Sequence, residues 1–198
     1  MILNERLKDY KIILASKSPR RQQLLKGLDV DFEIRLKEVE EVVPENIPGS
    51  QVAGYLAELK ASAFSITEIS EKDILITADT VVLIDGEILG KPKDRNDAES
   101  MIRKLSGNKH EVITGVCIKT KKLQHVFSSI SQVFFKDISE HEISYYLDHY
   151  KPYDKAGSYG IQEWIGYIAI ERIEGSYFNV MGLPVHQLYE ELSNLNLE

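Results

Sequence analysis

The chain has 198 residues, of which 43% are hydrophobic and 28% are charged, a composition typical of a soluble globular protein with enough apolar material for a core. Its formal net charge of −7 argues against binding to nucleic acid or to an anionic membrane, so a polyanion would need a local basic site. A single cysteine, Cys117, excludes an internal disulfide framework and a multi-cysteine zinc site, and its apolar neighbours predict a buried strand thiol.

The N-terminal residues carry charges where a signal peptide needs an apolar core, and no apolar run approaches the length of a membrane span. The sequence therefore predicts a cytoplasmic protein with no membrane partner. It contains no Pro-, Gly- or Ser-rich linker, so we expect a single domain over residues 1–198.

Strand-like and helix-like apolar patterns follow one another along the chain. The predicted elements are strand 11–15, helix 19–28, strand 31–36, helix 51–65, strand 74–84, strand 87–91, helix 97–105, strands 110–120 and 125–135, a helix after 139, strand 166–173 and a helix from about 184. Asp85-Gly86 is a hairpin signal, and Ser139 with Glu142 predicts a capping box.

Because several neighbouring strands are joined by short turns, we expect antiparallel pairing among them. The elements show neither a strict βαβ repeat nor an internal repeat. We therefore predict a mixed α/β (α+β) fold, in which a mixed and mostly antiparallel sheet is flanked by helices.

The segment SKSPRR, residues 16–21, joins the first strand to the first long helix. Ser18 is a natural N-cap, and Pro19 suits the first helical position. Arg20 and Arg21 would then lie at the positive end of the helix, where cations are least favourable. Two interpretations stay open: an anion site suited to phosphate, or a capped helix with solvated arginines.

Asp79 interrupts the run ITADTVV, which is otherwise rich in β-branched and apolar residues. A carboxylate is depleted in strands and costly when buried without a partner. This position favours a functional role, such as holding a divalent metal or activating a water. Thr80 follows and would point to the opposite face of the strand.

Other candidates give weaker signals by themselves. Lys60 lies next to an apolar helix stripe, Lys91 follows a turn glycine, and Glu41 belongs to an acidic loop, so each is compatible with an ordinary solvated side chain. In DKAGSYGIQ, residues 154–162, the glycines allow close approach of a ligand to the backbone. Gln162 offers the donor and acceptor needed to read a nucleobase edge, and Tyr159 could line the base.

Taken in order, these motifs resemble those of the Maf family of nucleotide pyrophosphatases. The resemblance runs through ILASKSPRRQQLL, LAELKA, ITADTVV, GEILGKP, LSGNKHEVITGV, DKAGSYGIQ and EGSYFNVMGLPV, which span almost the whole chain. It implies a fold similar to that of inosine triphosphate pyrophosphatases, with two lobes around a central cleft. The ending YDKAGSYGIQ resembles the branch that hydrolyses dTTP and UTP to the monophosphate and pyrophosphate, a house-cleaning of the nucleotide pool.

The resemblance also implies roles for individual residues. Asp79 matches the catalytic proton acceptor of the family. The positions associated with substrate choice are matched by Arg20, Thr80 and Gln162. The polar residues that line the cleft of the family are matched by Ser18, Arg21, Glu41, Lys60 and Lys91.

A divalent cation, Mg²⁺ or Mn²⁺, is implied as the cofactor, with Asp79 and Glu41 as its candidate ligands. Lys17 stands where the first motif of the family usually has glycine. The resemblance is compatible with a homodimer, and it leaves open the choice among uracil, thymine and modified pyrimidines.

Two other functions are alternatives to the hydrolase. A regulatory protein that senses nucleotides, linked to septum formation in cell division, could use the same cleft without turnover. Release of pyrophosphate from dTTP or UTP separates these two. A nucleic-acid binder that uses the arginine pair is disfavoured by the net charge of −7 and by the absence of a basic stripe.

Overall fold

The computed structural model describes residues 2–197. The strands within these residues are β1 (Lys11–Leu14), β2 (Phe32–Ile34), β3 (Asp73–Ile84), β4 (Glu87–Leu89), β5 (Lys109–Lys119), β6 (Gln124–Phe135) and β7 (Ile170–Glu174). The helices are α1 (Leu3–Arg6), α2 (Pro19–Lys26), α3 (Gly49–Ser62), α4 (Arg95–Leu105), α5 (Glu140–Tyr150), α6 (Trp164–Ala169), α7 (Tyr177–Met181) and α8 (Val185–Asn194). Short 3-10 turns lie at Ile66–Glu68 and Ala156–Ser158.

The strands form one sheet whose hydrogen-bonded order is β2-β1-β3-β5-β6-β7, with β4 paired to β3. β1 runs parallel to β2 and β3, whereas the β3–β4 and β6–β7 pairs are antiparallel. A tight turn closed by the hydrogen bond from the Thr120 N–H to the Leu123 carbonyl (2.7 Å) joins β5 to β6, a connection that only antiparallel neighbours allow. The predicted mixed α/β class with a mostly antiparallel sheet is confirmed.

The chain divides into two compact units. The first is built from Met1–Asp79, Thr114–Ser129 and Gly182–Glu198, and the second from Thr80–Ile113 and Ile130–Met181. The single domain with two lobes around a cleft stays a prediction. Within residues 2–197, no helix combines the length and the apolar character that crossing a membrane requires.

In the first unit, α3 packs backbone to backbone against β5. A Cβ atom on Gly115 would lie 2.3 Å from backbone atoms of Ala53 and Gly54, so no side chain fits between the helix and the strand. The buried residues of one core cluster in this unit are Ile13, Ala57, Ala61, Phe64, Ile69, Leu75 and Cys117. The close approach holds α3 against the sheet.

In the second unit, α4 and α5 bury their apolar faces in one core. The fully or nearly buried residues of these helices include Ala98, Ile102, Leu105, Ile143 and Leu147. α5 begins with the predicted capping box, because the Ser139 side chain accepts from the Glu142 N–H while the Glu142 carboxylate accepts from the Ser139 N–H.

The predicted strand 166–173 is wrong in its first half, where the chain forms α6. The Gly166 N–H donates to the Glu163 carbonyl (2.9 Å), and a Cβ atom on Gly166 would lie only 1.8 Å from the Ile161 carbonyl oxygen. The backbone therefore turns too tightly for an extended strand. Ile165 and Ala169, four residues apart, are both buried, and the nearby β-branched residues Ile168 and Ile170 mask this helical spacing in the sequence.

Two short helices, α1 and α7, were not predicted. Each has only four or five residues, too few for a periodic apolar pattern to be recognised. α7 is fixed by Asn179, whose Nδ2 donates to the Val112 carbonyl (3.0 Å) and to Ser131 Oγ (2.9 Å). A buried asparagine of this kind is a tertiary anchor, which local sequence does not reveal.

Cys117 is the buried strand thiol that the sequence predicts, since its side chain is fully buried in β5. Burial raises the pKa of its thiol to about 12, so it stays protonated at pH 8. We expect iodoacetamide to leave Cys117 unlabelled in the native protein at pH 8 and to label it after denaturation, as measured by intact mass. Rapid labelling of the native protein would contradict the buried position.

Candidate functional site

The N-terminus of α2 follows β1 through residues 15–18. Ser18 occupies the N-cap position with extended backbone angles, and Pro19 occupies the first turn, as predicted. The prediction that the Ser18 side chain caps the helix is wrong, because this side chain forms no capping hydrogen bond. Instead, the Ser18 N–H donates to Ser16 Oγ (3.2 Å), so the hydroxyl of Ser18 is not committed to the helix.

The guanidinium of Arg21 binds two backbone carbonyls within the first unit. Its Nε donates to the Gly182 carbonyl (2.7 Å), and its Nη1 donates to the Ala78 carbonyl (2.9 Å). Burial of the guanidinium lowers the pKa of Arg21, and the negative charge of Asp79 opposes that shift. Arg21 therefore fixes the backbone next to Asp79, an interaction that the motif SKSPRR did not reveal.

Lys60, Asp79 and Glu41 form a charge cluster in the first unit. The Lys60 ammonium donates a short hydrogen bond to Asp79 Oδ1, and it lies 3.1 Å from Glu41 Oε1. The side chains of Lys60 and Asp79 are only 19% and 14% exposed, whereas that of Glu41 is 46% exposed. Two carboxylates thus contact one ammonium, and the Lys60–Asp79 pair is largely shielded from solvent.

The pairing of Lys60 with Asp79 follows from how α3 lies on β3. The Thr77 hydroxyl is fully buried and donates to the Ala57 carbonyl of α3 (2.5 Å). Asp79 is two residues beyond Thr77 on the same strand face, and Lys60 is one helical turn beyond Ala57. The hydroxyl bond therefore sets the register in which the ammonium reaches the carboxylate. Sequence reasoning missed Thr77, although a threonine two residues before a strand aspartate was the available signal.

Lys17, which replaces the usual glycine of the resembled motif, causes no backbone strain. It is not among the described residues with a positive φ angle, the region that favours glycine. Its side chain is exposed. The backbone at this position therefore accommodates a lysine.

In the second unit, the loop 154–162 is attached to the turn that presents Lys91. The Gly157 N–H donates to the Gly90 carbonyl (3.0 Å), and Lys91 is exposed directly after that residue. Gly157 has φ +65°, and a Cβ atom there would lie 3.0 Å from a methyl group of Val82. The glycine is required at this contact, and it places the loop against the strand that carries Thr80.

Gln162 lies at the end of this loop and is partly buried. Its Oε1 is shielded from solvent and has no hydrogen-bond partner within the described residues. A buried acceptor without a partner is unfavourable, so Gln162 is a candidate for contacting a ligand. Base reading by Gln162 stays a prediction.

Tyr159 is buried in the core, so the expectation that it lines a base is wrong. Its side chain is 6% exposed, and its hydroxyl forms a hydrogen bond with His110 Nε2 (2.8 Å). Phe135 packs edge-on against its ring, with the centroids 5.0 Å apart. Burial lowers the pKa of His110 to about 4, so this histidine is neutral at pH 7 and has a structural role.

The candidate residues thus fall in two groups. The first unit contains Ser18, Arg20, Arg21, Glu41, Lys60 and Asp79, and the second contains Thr80, Lys91 and Gln162. Direct contacts join Lys60 to both carboxylates. Among residues 2–197, no group of three or more His, Cys, Asp and Glu side chains is arranged to hold a metal ion by itself.

Comparison with known proteins gives a consistent result along the chain. The sequence model of the Maf family, described as Maf-like protein, matches residues 11–195. The chain is 54% identical over 194 residues to a dTTP/UTP pyrophosphatase of Flavobacterium johnsoniae, with 98% of this chain and 100% of that protein covered. It is 55% identical over 192 residues to a dTTP/UTP pyrophosphatase of Porphyromonas gingivalis, with 96% of each covered. Among solved structures, the Staphylococcus aureus Ham1 protein is similar with a TM-score of 0.48 and 16% identity, over 64% of this chain and 72% of that one.

Proposed function

The chain belongs to the Maf family, and on this premise we propose that it is a nucleoside triphosphate pyrophosphatase acting on dTTP and UTP. The reaction is attack of water on the α-phosphorus, which gives the nucleoside monophosphate and pyrophosphate. The observation that carries the proposal is the Lys60–Asp79–Glu41 cluster, because it combines a candidate base with a shielded cation. Relatives with this activity match the chain at 54% and 55% identity over nearly its full length.

Asp79 is the proposed general base. It takes a proton from the attacking water as the new bond to the α-phosphorus forms. The bond from this phosphorus to the oxygen that bridges to the β-phosphate then breaks, and pyrophosphate leaves with the bonding electrons. Because the short hydrogen bond from Lys60 goes to Oδ1, the second carboxylate oxygen of Asp79 is the one proposed to face the water.

The cationic side chains neutralise the triphosphate. An ammonium has three donors, and those of Lys60 that reach Asp79 and Glu41 leave one for a phosphate oxygen. Lys91 is exposed and can bind the tail as a point charge, and Arg20 lies in the first turn of α2. Arg21 supports the site mainly by fixing the Ala78 carbonyl next to the base.

Asp79 and Glu41 fit a divalent cation as ligands. Both are hard oxygen donors that converge on one positive charge, the Lys60 ammonium. Mg²⁺ is usually held by one or two carboxylates together with substrate phosphates, so this pair suffices without a third protein ligand. When bound, Mg²⁺ or Mn²⁺ would neutralise developing charge on the phosphates.

The direct test is a pyrophosphate-release screen of the purified protein, with Mg²⁺ or Mn²⁺ added. The substrates are the common nucleoside triphosphates and modified pyrimidine nucleotides. We expect dTTP and UTP to give the highest kcat/KM. Binding of these nucleotides without release of pyrophosphate would contradict the proposal and favour a nucleotide-sensing protein.

Gln162→Ala tests recognition of the base. Uracil and cytosine have the same size but present an acceptor and a donor, respectively, at the same ring position, so their ratio isolates hydrogen bonding. We expect the ratio of kcat/KM for UTP to that for CTP to fall about tenfold, while kcat for UTP changes less than about threefold. Gln132→Ala, at a partly buried position of β6, is the matched control and should retain the ratio. An unchanged ratio in Gln162→Ala would remove Gln162 from the recognition site.

A further inference from the structure

A buried polar network lies beside the loop that carries Gln162. Lys155 is only 8% exposed, and its Nζ lies 3.0 Å from Glu163 Oε1 and 2.7 Å from Asp154 Oδ1. The Tyr146 hydroxyl donates a short hydrogen bond to Glu163 Oε2 and accepts from the Gly160 N–H (3.1 Å). A nearly buried lysine needs such partners, because an unpaired charge would be strongly unfavourable there.

The side chain of Glu163 takes part in this network and does not cap the helix that follows it. Glu163 is the N-cap residue of α6, but its side chain forms no capping hydrogen bond. Its carboxylate instead lies against Gly160, where a Cβ atom would be 2.8 Å from Glu163 Cδ. Burial, together with the hydrogen bond to Glu163, raises the pKa of Tyr146, which keeps its hydroxyl protonated and able to donate.

These contacts fix the backbone on both sides of Gln162. On one side, the Gly160 N–H is bound by Tyr146. On the other, the Glu163 N–H donates to the Gly160 carbonyl (2.9 Å), and the Glu163 side chain is held by Lys155. Gln162 lies between these two fixed points, and its own Oε1 has no partner within the described residues. The backbone around Gln162 is thus fixed, while its side-chain Oε1 can accept a hydrogen bond from a ligand.

We propose that Lys155, Glu163 and Tyr146 are positioning residues that hold Gln162 in the orientation for reading the pyrimidine base. They set the choice of substrate without touching it. This inference rests on the proposed function, since it concerns the specificity of that same reaction. It adds specificity-determining residues, none of which the sequence motifs singled out for this role.

Tyr146→Phe is the first test, because it removes one hydroxyl and keeps the ring. We expect the UTP to CTP ratio of kcat/KM to fall by about threefold to thirtyfold, mainly through a higher KM for UTP. Tyr150→Phe is the matched control, since Tyr150 lies on the same helix and its side chain is 38% exposed. It should leave the ratio unchanged.

A double variant separates positioning from general destabilisation. If Tyr146 acts through Gln162, adding Tyr146→Phe to Gln162→Ala should change the ratio by less than about twofold. A purely structural role would instead lower stability in both backgrounds and leave the ratio of the single variant unaltered. Glu163→Gln provides a second folded test, because it keeps the size of the side chain and loses the charge that pairs with Lys155.

The outcomes distinguish the two proposals. If the wild-type protein is active on UTP and both Tyr146→Phe and Glu163→Gln keep its UTP to CTP ratio, the positioning role is overturned and the proposed function stands. If the wild-type protein releases pyrophosphate from neither dTTP nor UTP, the proposed function falls, and the positioning role falls with it. The positioning role is supported if the UTP to CTP ratio falls in either folded variant, and does not fall when the same substitution is added to Gln162→Ala.

Discussion

Asp79→Asn is expected to lower kcat for UTP by at least about tenfold and up to about a thousandfold. The substitution keeps the shape of the side chain and removes both the charge and the ability to accept a proton from water. It also leaves the Lys60 ammonium with Glu41 as its remaining carboxylate partner among the contacts described. The measurement is steady-state release of pyrophosphate at saturating UTP and divalent metal.

Asp85→Asn is the matched control for this experiment. Asp85 lies at the exposed hairpin turn directly after β3 and has φ +49°, a conformation that asparagine tolerates well. The control should keep wild-type turnover and wild-type thermal stability. Near-normal turnover by a folded Asp79→Asn protein would show that Asp79 is not the base.

Gly115→Ala is expected to lower the free energy of unfolding by about 3 kcal/mol or more, the largest loss among the variants described. The new methyl group would meet backbone atoms of Ala53 and Gly54 at 2.3 Å, and backbone cannot swing away as a side chain can. For a chain of this size, the loss corresponds to a fall in melting temperature of about 6–12 °C. Thermal unfolding followed by circular dichroism measures it.

Gly54→Ala is the matched control on the helix side. Here the new Cβ would meet side-chain atoms, Ser128 Oγ at 3.1 Å and Val126 Cγ1 at 3.6 Å, and the closer of these belongs to a side chain that can rotate. Because alanine is favoured over glycine in a helix interior by about 1 kcal/mol, this variant should be neutral or slightly stabilised. Equal destabilisation by the two substitutions would contradict the description of a backbone contact at Gly115.

The elements that local chemistry determines were predictable. The strand 74–84, the turn at Asp85-Gly86 and the capping box at Ser139 each depend on residues close together in the chain, and each is present. The error at 166–173 arose where β-branched residues resembled a strand, although a tight turn at Gly166 imposes a helix. That turn depends on a carbonyl five residues away, which propensity does not capture.

The candidate site was predictable as a set of residues but not as an arrangement. Motifs pointed to Lys60 and Asp79, yet the bond between them depends on the Thr77 hydroxyl and on the close approach at Gly115, both of which are tertiary features. Arg21 was a candidate for binding phosphate, and the sequence did not indicate that two of its donors bind backbone carbonyls. The roles of these residues in catalysis stay predictions.

The contact of Arg21 with Gly182 has a consequence for the order in which the protein folds. The first unit includes the segment that begins at Gly182, so some of its contacts join residues separated by more than half of the chain. Two further bonds do the same, from Arg6 to the Leu195 carbonyl and from the Tyr10 hydroxyl to the Leu197 carbonyl, each 2.7 Å long. During synthesis, these bonds cannot form until residues 182–197 have left the ribosome, and closing so long a loop is entropically costly. The surroundings of Asp79 are therefore completed only after that segment has emerged, and a shorter nascent chain cannot hold the finished site.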